Sequence, residues 1–222
     1  MTARGPDARS TDLPAGGGTP DWLAAHLLHC PRCGAPLALG PVDGDPRPRL
    51  RCENGHISYV NPKLVVTTIP VTEAGEVVLL RRGFEPGRGW WAQPGGFLEV
   101  DETPTEGAIR ETEEEIGLVV EPGEILGLYA RLEAAVVVLA YEARIVGGEL
   151  QTSPEALEVR AFAPEAIPWP EIAFRTTWWA LADWLALRRP DLPAPTAGPT
   201  FEPSRPRGSA DSGSDAGPGS SP

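Results

Sequence analysis

Residues 103–117 constrain this chain more than any other stretch. Thr103 is an N-cap residue, Pro104 follows at the first helical position, and Glu106 stands three residues after the cap. Gly117 offers a left-handed C-cap. The pattern predicts a helix over 103–117 with Ala108, Ile109 and Ile116 as its buried stripe. The same helix carries Glu111, Glu113, Glu114 and Glu115. At ~100° per residue, Glu111, Glu114 and Glu115 share one face, one turn apart. Like charges at that spacing repel and weaken a helix. A helix that needed only solubility would interleave lysine. Three carboxylates converging from a rigid face instead make an oxygen-lined site for a hard divalent cation such as Mg²⁺. Taken alone, a Glu run is more often a solvated acidic face, so its surroundings decide.

Ahead of the helix, Gln93-Pro94-Gly95-Gly96 reads as a flexible turn, and Phe97–Glu102 brings further acids to the helix start. Counted from Gly96, five residues lead to Glu102, seven more to Arg110-Glu111, and then come Glu114-Glu115 and Gly117-Leu118. This spaced pattern resembles the Nudix box at every charged and glycine position. Thr112 departs from it, standing where the family usually has an aliphatic residue; its methyl is expected to pack at a small stability cost. Asp101 stands where many members have glycine.

The resemblance covers about residues 63–190. It implies an α/β fold, an α/β/α sandwich with a mixed sheet, and a metal-dependent pyrophosphohydrolase. Carried over residue by residue, it makes Glu111, Glu114 and Glu115 ligands for Mg²⁺ (or Mn²⁺), with Glu99 as a further metal-holding acid. Glu114 and Glu115 are both candidates for the general base. Gly96 and Glu102 shape the loop. Arg110 is the implied partner of a box carboxylate, fixing its rotamer through bidentate hydrogen bonds. Glu155 and Glu158 are candidates for a distal acid. Trp90, Trp91, Trp169 and Phe174 are candidates for stacking on a nucleobase, although burial in a core is the commoner fate of an aromatic residue.

The cysteines fall in two clusters, Cys30-Pro31-Arg32-Cys33-Gly34 and Cys52-Glu53-Asn54-Gly55-His56. Cys30, Cys33, Cys52 and His56 supply the Cys₃His set of a structural Zn²⁺ site, which leaves no open position for water and therefore holds a fold together instead of catalysing. His29 is excluded because its adjacency to Cys30 makes joint tetrahedral binding awkward. A zinc ribbon over 28–62, joined to a Nudix domain over 63–190, looks like the zinc-ribbon Nudix subgroup. Relatives there include NADH pyrophosphatases and enzymes acting on ADP-ribose or FAD. Ile167–Phe174 resembles that subgroup's C-terminal region but lacks the longer proline-rich signature of NADH-specific members, which puts ADP-ribose or FAD ahead of NADH. Two rival readings are a non-catalytic ADP-ribose sensor and an RNA-cap hydrolase using the ribbon for RNA. The first lacks a helix-turn-helix, and the second has only Arg47, Arg49 and Arg51 in its favour.

The net charge of −12 argues against nucleic acid as a partner, because phosphate contacts need surplus Lys and Arg. A small-molecule nucleotide is the expected partner, and a homodimer is open. Residues 1–20 and 192–222, rich in Gly, Pro, Ser and Ala, read as disordered tails. No apolar run approaches the ~20 residues that span a bilayer, and the first residues lack the apolar stretch of a secretory signal. A cytoplasmic protein is the expectation. Leu64–Val71 and Glu76–Arg82 read as a hairpin, Ile125–Leu132, Val136–Val146 and Leu157–Phe162 as further strands, and Trp178–Leu187 as the last helix.

Overall fold

The computed structural model describes residues 27–193 and 195. The segments expected to be tails lie outside these residues, apart from 192, 193 and 195. The chain divides after Asn61 into two compact units.

The first unit is a three-stranded antiparallel sheet of β1 (Leu37–Val42), β2 (Asp45–Cys52) and β3 (Ile57–Ser58). The two cysteine clusters occupy tight turns beside it. In one turn the Gly34 N–H donates to the Cys30 carbonyl (2.8 Å), and in the other the Gly55 N–H donates to the Cys52 carbonyl (3.0 Å). Leu50 is its buried aliphatic residue, with Cys30 and Cys52 also buried. So small an apolar core gives little folding energy unaided.

The second unit is built on a mixed sheet. Its strands are β4 (Lys63–Val71), β5 (Val77–Arg82), β6 (Trp91–Ala92), β7 (Gly95–Phe97), β8 (Leu118–Arg131), β9 (Val136–Gly148) and β10 (Ala156–Phe162). The order is β10-β5-β4-β9-β8, with β6 added to β5 and β7 to β4. β4 and β9 run parallel, in register from Lys63↔Val136 to Val71↔Arg144. The remaining pairs are antiparallel.

Residues 64–82 do not form the simple hairpin expected. β4 and β5 meet at Val71↔Val77 and then diverge, and β7 and β6 fill the opening, β7 beside β4 and β6 beside β5. Gly95 and Gly96, expected in a flexible turn, are instead strand residues, in register with Thr67 and Val66.

Helices α1 (Pro104–Ile116) and α2 (Arg175–Arg188) cover the two faces. β5 shows how: Val77 and Leu79 pack with Leu181 and Trp184 of α2, whereas Val78 and Leu80 pack with Ile116 of α1. Alternate residues of a strand point to opposite faces, so a continuous apolar run is what a two-sided layer requires. Val66 and Leu139 extend the α1 side by packing on Ala108. No helix among the described residues is long and apolar enough to cross a membrane.

Candidate active site and metal centre

α1 begins and ends as its sequence dictates. The Thr103 hydroxyl accepts from the Glu106 N–H, the Glu106 carboxylate accepts from the Thr103 N–H (2.8 Å), and Gly117 closes the helix at φ 74°. Thr112 is fully buried. Its hydroxyl donates to the Ala108 carbonyl (2.7 Å) and lies 2.7 Å from the hydroxyl of Thr68 on β4. The departure at this position thus comes with a partner across the helix–sheet interface, which the sequence did not reveal.

Glu111, Glu114 and Glu115 line one cavity of about 900 Å³, together with Glu99, Glu155 and Gly96. Glu115 is buried and its Oε2 accepts from the Gly95 N–H (2.7 Å). Gly95 has φ 146°, and a Cβ there would strike the Val66 carbonyl at 2.3 Å. A side chain is therefore excluded on both conformational and steric grounds. At Gly96 a Cβ would lie 2.5 Å from the Glu111 carboxylate. Gly95 lets β7 close against β4, and Gly96 leaves room for the Glu111 carboxylate of α1 against β7.

Arg110 organises the acids from beside the cavity. It grips Glu102 at two points, Nε to Oε2 (2.9 Å) and Nη2 to Oε1 (2.6 Å), while Nη1 donates to Glu111 (2.9 Å) and Glu114 (3.1 Å). Glu102 also accepts from the Glu99 N–H (2.9 Å), which ties the loop to the helix. The Arg110 guanidinium, followed by the Glu99 amide, holds the Glu102 carboxyl down at about 2. Burial acts oppositely on the inner acids, raising Glu111 and pushing Glu115 up to about 8. Hard carboxylate oxygens, partly desolvated and converging on one cavity, are a donor set that fits Mg²⁺ or Mn²⁺. A bound dication would reverse the upward shifts, since it supplies the charge that burial denies.

The two distal candidates separate. Glu155 lines the cavity and raises Glu111 and Glu115 further by its charge. Glu158 is instead engaged by Arg81 (3.1 Å) and Arg160, on β10 away from the cavity lining. The aromatic candidates separate too. Trp91 is 1% exposed and packed edge-on against Phe162, so it has no face to offer a base. Trp90 and Trp169 are partly buried against the core, Trp169 edge-on to Trp178, and neither lines the cavity. Phe174 does line it, with the Arg82 and Arg131 guanidinium carbons 4.8 and 5.5 Å from its ring centre.

Sequence reasoning missed Arg82, Phe84, Gln93, Phe97 and Arg131 in the same cavity lining. Burial lowers Arg82 from its ordinary range, opposed by the charges of Glu115, Glu155 and Glu85. Of these five, Gln93 and Phe97 carried a signal, since they flank the Pro94-Gly95-Gly96 run.

In the first unit, Cys30, Cys33, Cys52 and His56 bring their ligand atoms within 4.8 Å of one another. Cys33 Sγ lies 3.8 Å from Cys52 Sγ and 3.3 Å from His56 Nδ1, and Cys30 Sγ lies 3.7 Å from the same nitrogen. A tetrahedron with Zn–S bonds of about 2.3 Å has S···S edges of about 3.8 Å, so the spacing fits zinc, with Nδ1 as the histidine ligand. Cys33, hydrogen-bonded first by Asn54, is lowered to about 6, toward the thiolate that binds metal.

Comparison with known proteins agrees with this architecture. A family model for the NUDIX domain matches residues 61–184. The chain belongs to the Nudix family. It is 36% identical over 102 residues to a MutT-like protein from Streptomyces ambofaciens, covering 46% of this chain and 64% of that one. It is 31% identical over 114 residues to an ADP-ribose pyrophosphatase from Methanocaldococcus jannaschii, covering 50% and 67% respectively. A NUDIX hydrolase crystal structure from Nitrosomonas europaea superposes with a TM-score of 0.68 at 34% identity, covering 78% of this chain and 96% of that one. The chain thus spans about two thirds of the two curated relatives.

Proposed function

We propose that this chain hydrolyses a phosphoanhydride bond in a nucleoside diphosphate linked to a second group, with ADP-ribose or FAD ahead of NADH. The observation that carries the reading is the convergence of Glu99, Glu111, Glu114, Glu115 and Glu155 on one cavity that also has an aromatic wall of Phe84, Phe97 and Phe174. A volume of about 900 Å³ lies within the range of small-molecule sites. The kinship with an ADP-ribose pyrophosphatase supports the same substrate class.

In this reading Glu111, Glu114 and Glu115 hold Mg²⁺ or Mn²⁺, with Glu99 as a further ligand. When bound there, such a cation would supply positive charge for the phosphate oxygens and would make a coordinated water more acidic. Glu114 or Glu115 takes the proton from the attacking water. Glu155, just before β10, lines the same cavity and serves as the distal acid. Arg110 positions Glu102, Glu111 and Glu114 and leaves the phosphate to the metal. Zn²⁺ in the Cys30, Cys33, Cys52 and His56 site holds the ribbon.

The test is turnover by the full chain of ADP-ribose, FAD, NADH, dinucleoside polyphosphates and nucleoside triphosphates with Mg²⁺. A linked diphosphate should exceed the triphosphates by about tenfold or more in kcat/KM, roughly 1.4 kcal/mol of transition-state binding. A tenfold preference for triphosphates overturns the reading.

A further inference from the structure

The first turn of α2 forms part of the cavity lining. Thr176 and Thr177, its second and third residues, both line the cavity and are buried, at 4% and 3% exposure. Neither hydroxyl makes a hydrogen bond to a described residue. Neither is sealed off, since the fully enclosed polar side-chain atoms without a partner are Gln93 Oε1, Trp178 Nε1 and Trp184 Nε1. A buried hydroxyl left unmet is costly, and native structures rarely keep one that has no use. Two in succession, both still reachable from the cavity, point to a ligand.

The backbone at this end offers donors of its own. Phe174 is the N-cap, in extended conformation, and no side chain caps α2. The helical ladder starts where the Trp178 N–H donates to the Phe174 carbonyl (2.9 Å), so the amides of Thr176 and Thr177 have no partner inside the helix. With 14 residues, α2 also places the positive end of its dipole at this wall.

Two guanidiniums meet the same helix end. Arg82 of β5 and Arg131 of β8 line the cavity, with their guanidinium carbons 4.8 and 5.5 Å from the ring centre of the N-cap Phe174. Each is tied back through Nε, Arg82 to the Pro86 carbonyl (2.9 Å) and Arg131 to Glu133 (3.0 Å). Neither uses its Nη groups in a hydrogen bond to a described residue. Arg82 makes no ion pair with any described residue, and the Arg131 side chain is only 14% exposed. Two partly desolvated cations, two unmet hydroxyls and an uncapped helix end all suit one kind of ligand, an anion rich in acceptor oxygens. A phosphoryl group has that chemistry.

We infer that Arg82, Arg131, Thr176, Thr177 and the first-turn amides of α2 bind a phosphoryl group of the substrate, the one not held at the carboxylate wall. The inference rests on the reading of this cavity as the site of a linked diphosphate, and it divides that site into two ends of opposite sign. Glu111, Glu114 and Glu115 repel a bare phosphate, whereas the α2 end attracts one directly. A substrate with two adjoining phosphoryl groups has a use for both ends.

The test uses the full chain with AMP and adenosine, which differ by one phosphoryl group. Dissociation constants are read by calorimetry with no divalent cation added and no chelator, so that zinc stays in the ribbon. The parent should bind AMP more tightly than adenosine by about tenfold or more, the scale of a charge-assisted contact. Thr177→Val, which keeps the side-chain shape, and Arg131→Gln should each lower the AMP affinity by about threefold or more and leave adenosine unchanged. Equal affinities in the parent, or no measurable binding of AMP, overturn the inference. So does an intact preference in either variant once circular dichroism shows it folded, since the phosphate then sits elsewhere. Where neither variant folds, the parent comparison decides. A preference for AMP without turnover of any linked diphosphate removes the hydrolase reading and leaves this one standing. Turnover with no preference does the reverse.

Discussion

Arg110 and Glu102, eight residues apart, are joined by two parallel hydrogen bonds of 2.9 and 2.6 Å between a guanidinium and a carboxylate. One residue belongs to α1 and the other to the loop before it. Glu102 also occupies the space beside Gly107, where a Cβ would lie 2.7 Å from its oxygen. The pair fixes the loop on the helix before any ligand arrives.

Arg110→Lys keeps the charge but loses the fork. Turnover should fall by roughly tenfold or more, the scale on which misplaced catalytic groups are felt, with the fold retained by circular dichroism. Glu102 adds a pH signature. Its folded value of about 2 lies below the ordinary value of about 4.3. Its contribution to stability is therefore complete above about pH 4.3 and is lost as pH falls toward 2. Melting temperature between pH 6 and pH 3 should fall less in Glu102→Gln than in the parent. Identical acid limbs would refute the role given to this pair.

Glu114→Gln and Glu115→Gln should each lower turnover by at least ~10², the scale for removing a general base or an electrostatic stabiliser. Both preserve side-chain volume. Mg²⁺ should raise the melting temperature of each variant less than that of the parent, because a weaker ligand set binds less metal in the folded state. Near-parental turnover with unchanged metal dependence in both would remove the catalytic reading of α1.

Purified without chelator, the chain should contain one Zn²⁺ per molecule by elemental analysis. Cys33→Ser should loosen residues 28–61, read as faster proteolysis there, while the unit that follows Asn61 keeps its melting transition. Protein free of zinc yet intact in that segment would count against the site.

Thr112→Val should cost about 1–3 kcal/mol, since it leaves the buried Thr68 hydroxyl without its acceptor. Thr68→Val should cost less, because Thr112 still donates to Ala108. The double variant should recover much of the loss, as replacing both partners by apolar groups can be nearly neutral. Strict additivity of the two single losses would show that the hydroxyls are not coupled.

The helix was legible because its signals are local: Thr103, Pro104, Glu106 and Gly117 each act on neighbouring backbone groups, and α1 starts and stops where they place it. The cysteine cluster was legible for a similar reason, since so few residue types bind zinc. Strand partners were less so. β8 begins at Leu118, seven residues before the expected start at Ile125, because it pairs along β9 around bulges that interrupt its alternation. The separation of Glu155 from Glu158, and of Phe174 from the three tryptophans, depends on which way a side chain faces from segments far apart in sequence. Arg82 and Arg131 join the cavity lining through contacts that no local pattern encodes.

The buried hydroxyl pair has a historical consequence. Thr68 and Thr112 lie on different elements, yet the Thr68 hydroxyl finds its acceptor in Thr112. A lineage that changed one alone would pass through a weakened intermediate. Across relatives of this chain the two positions should therefore drift as a couple, both hydroxylated or both aliphatic, and mixed pairs should be scarce.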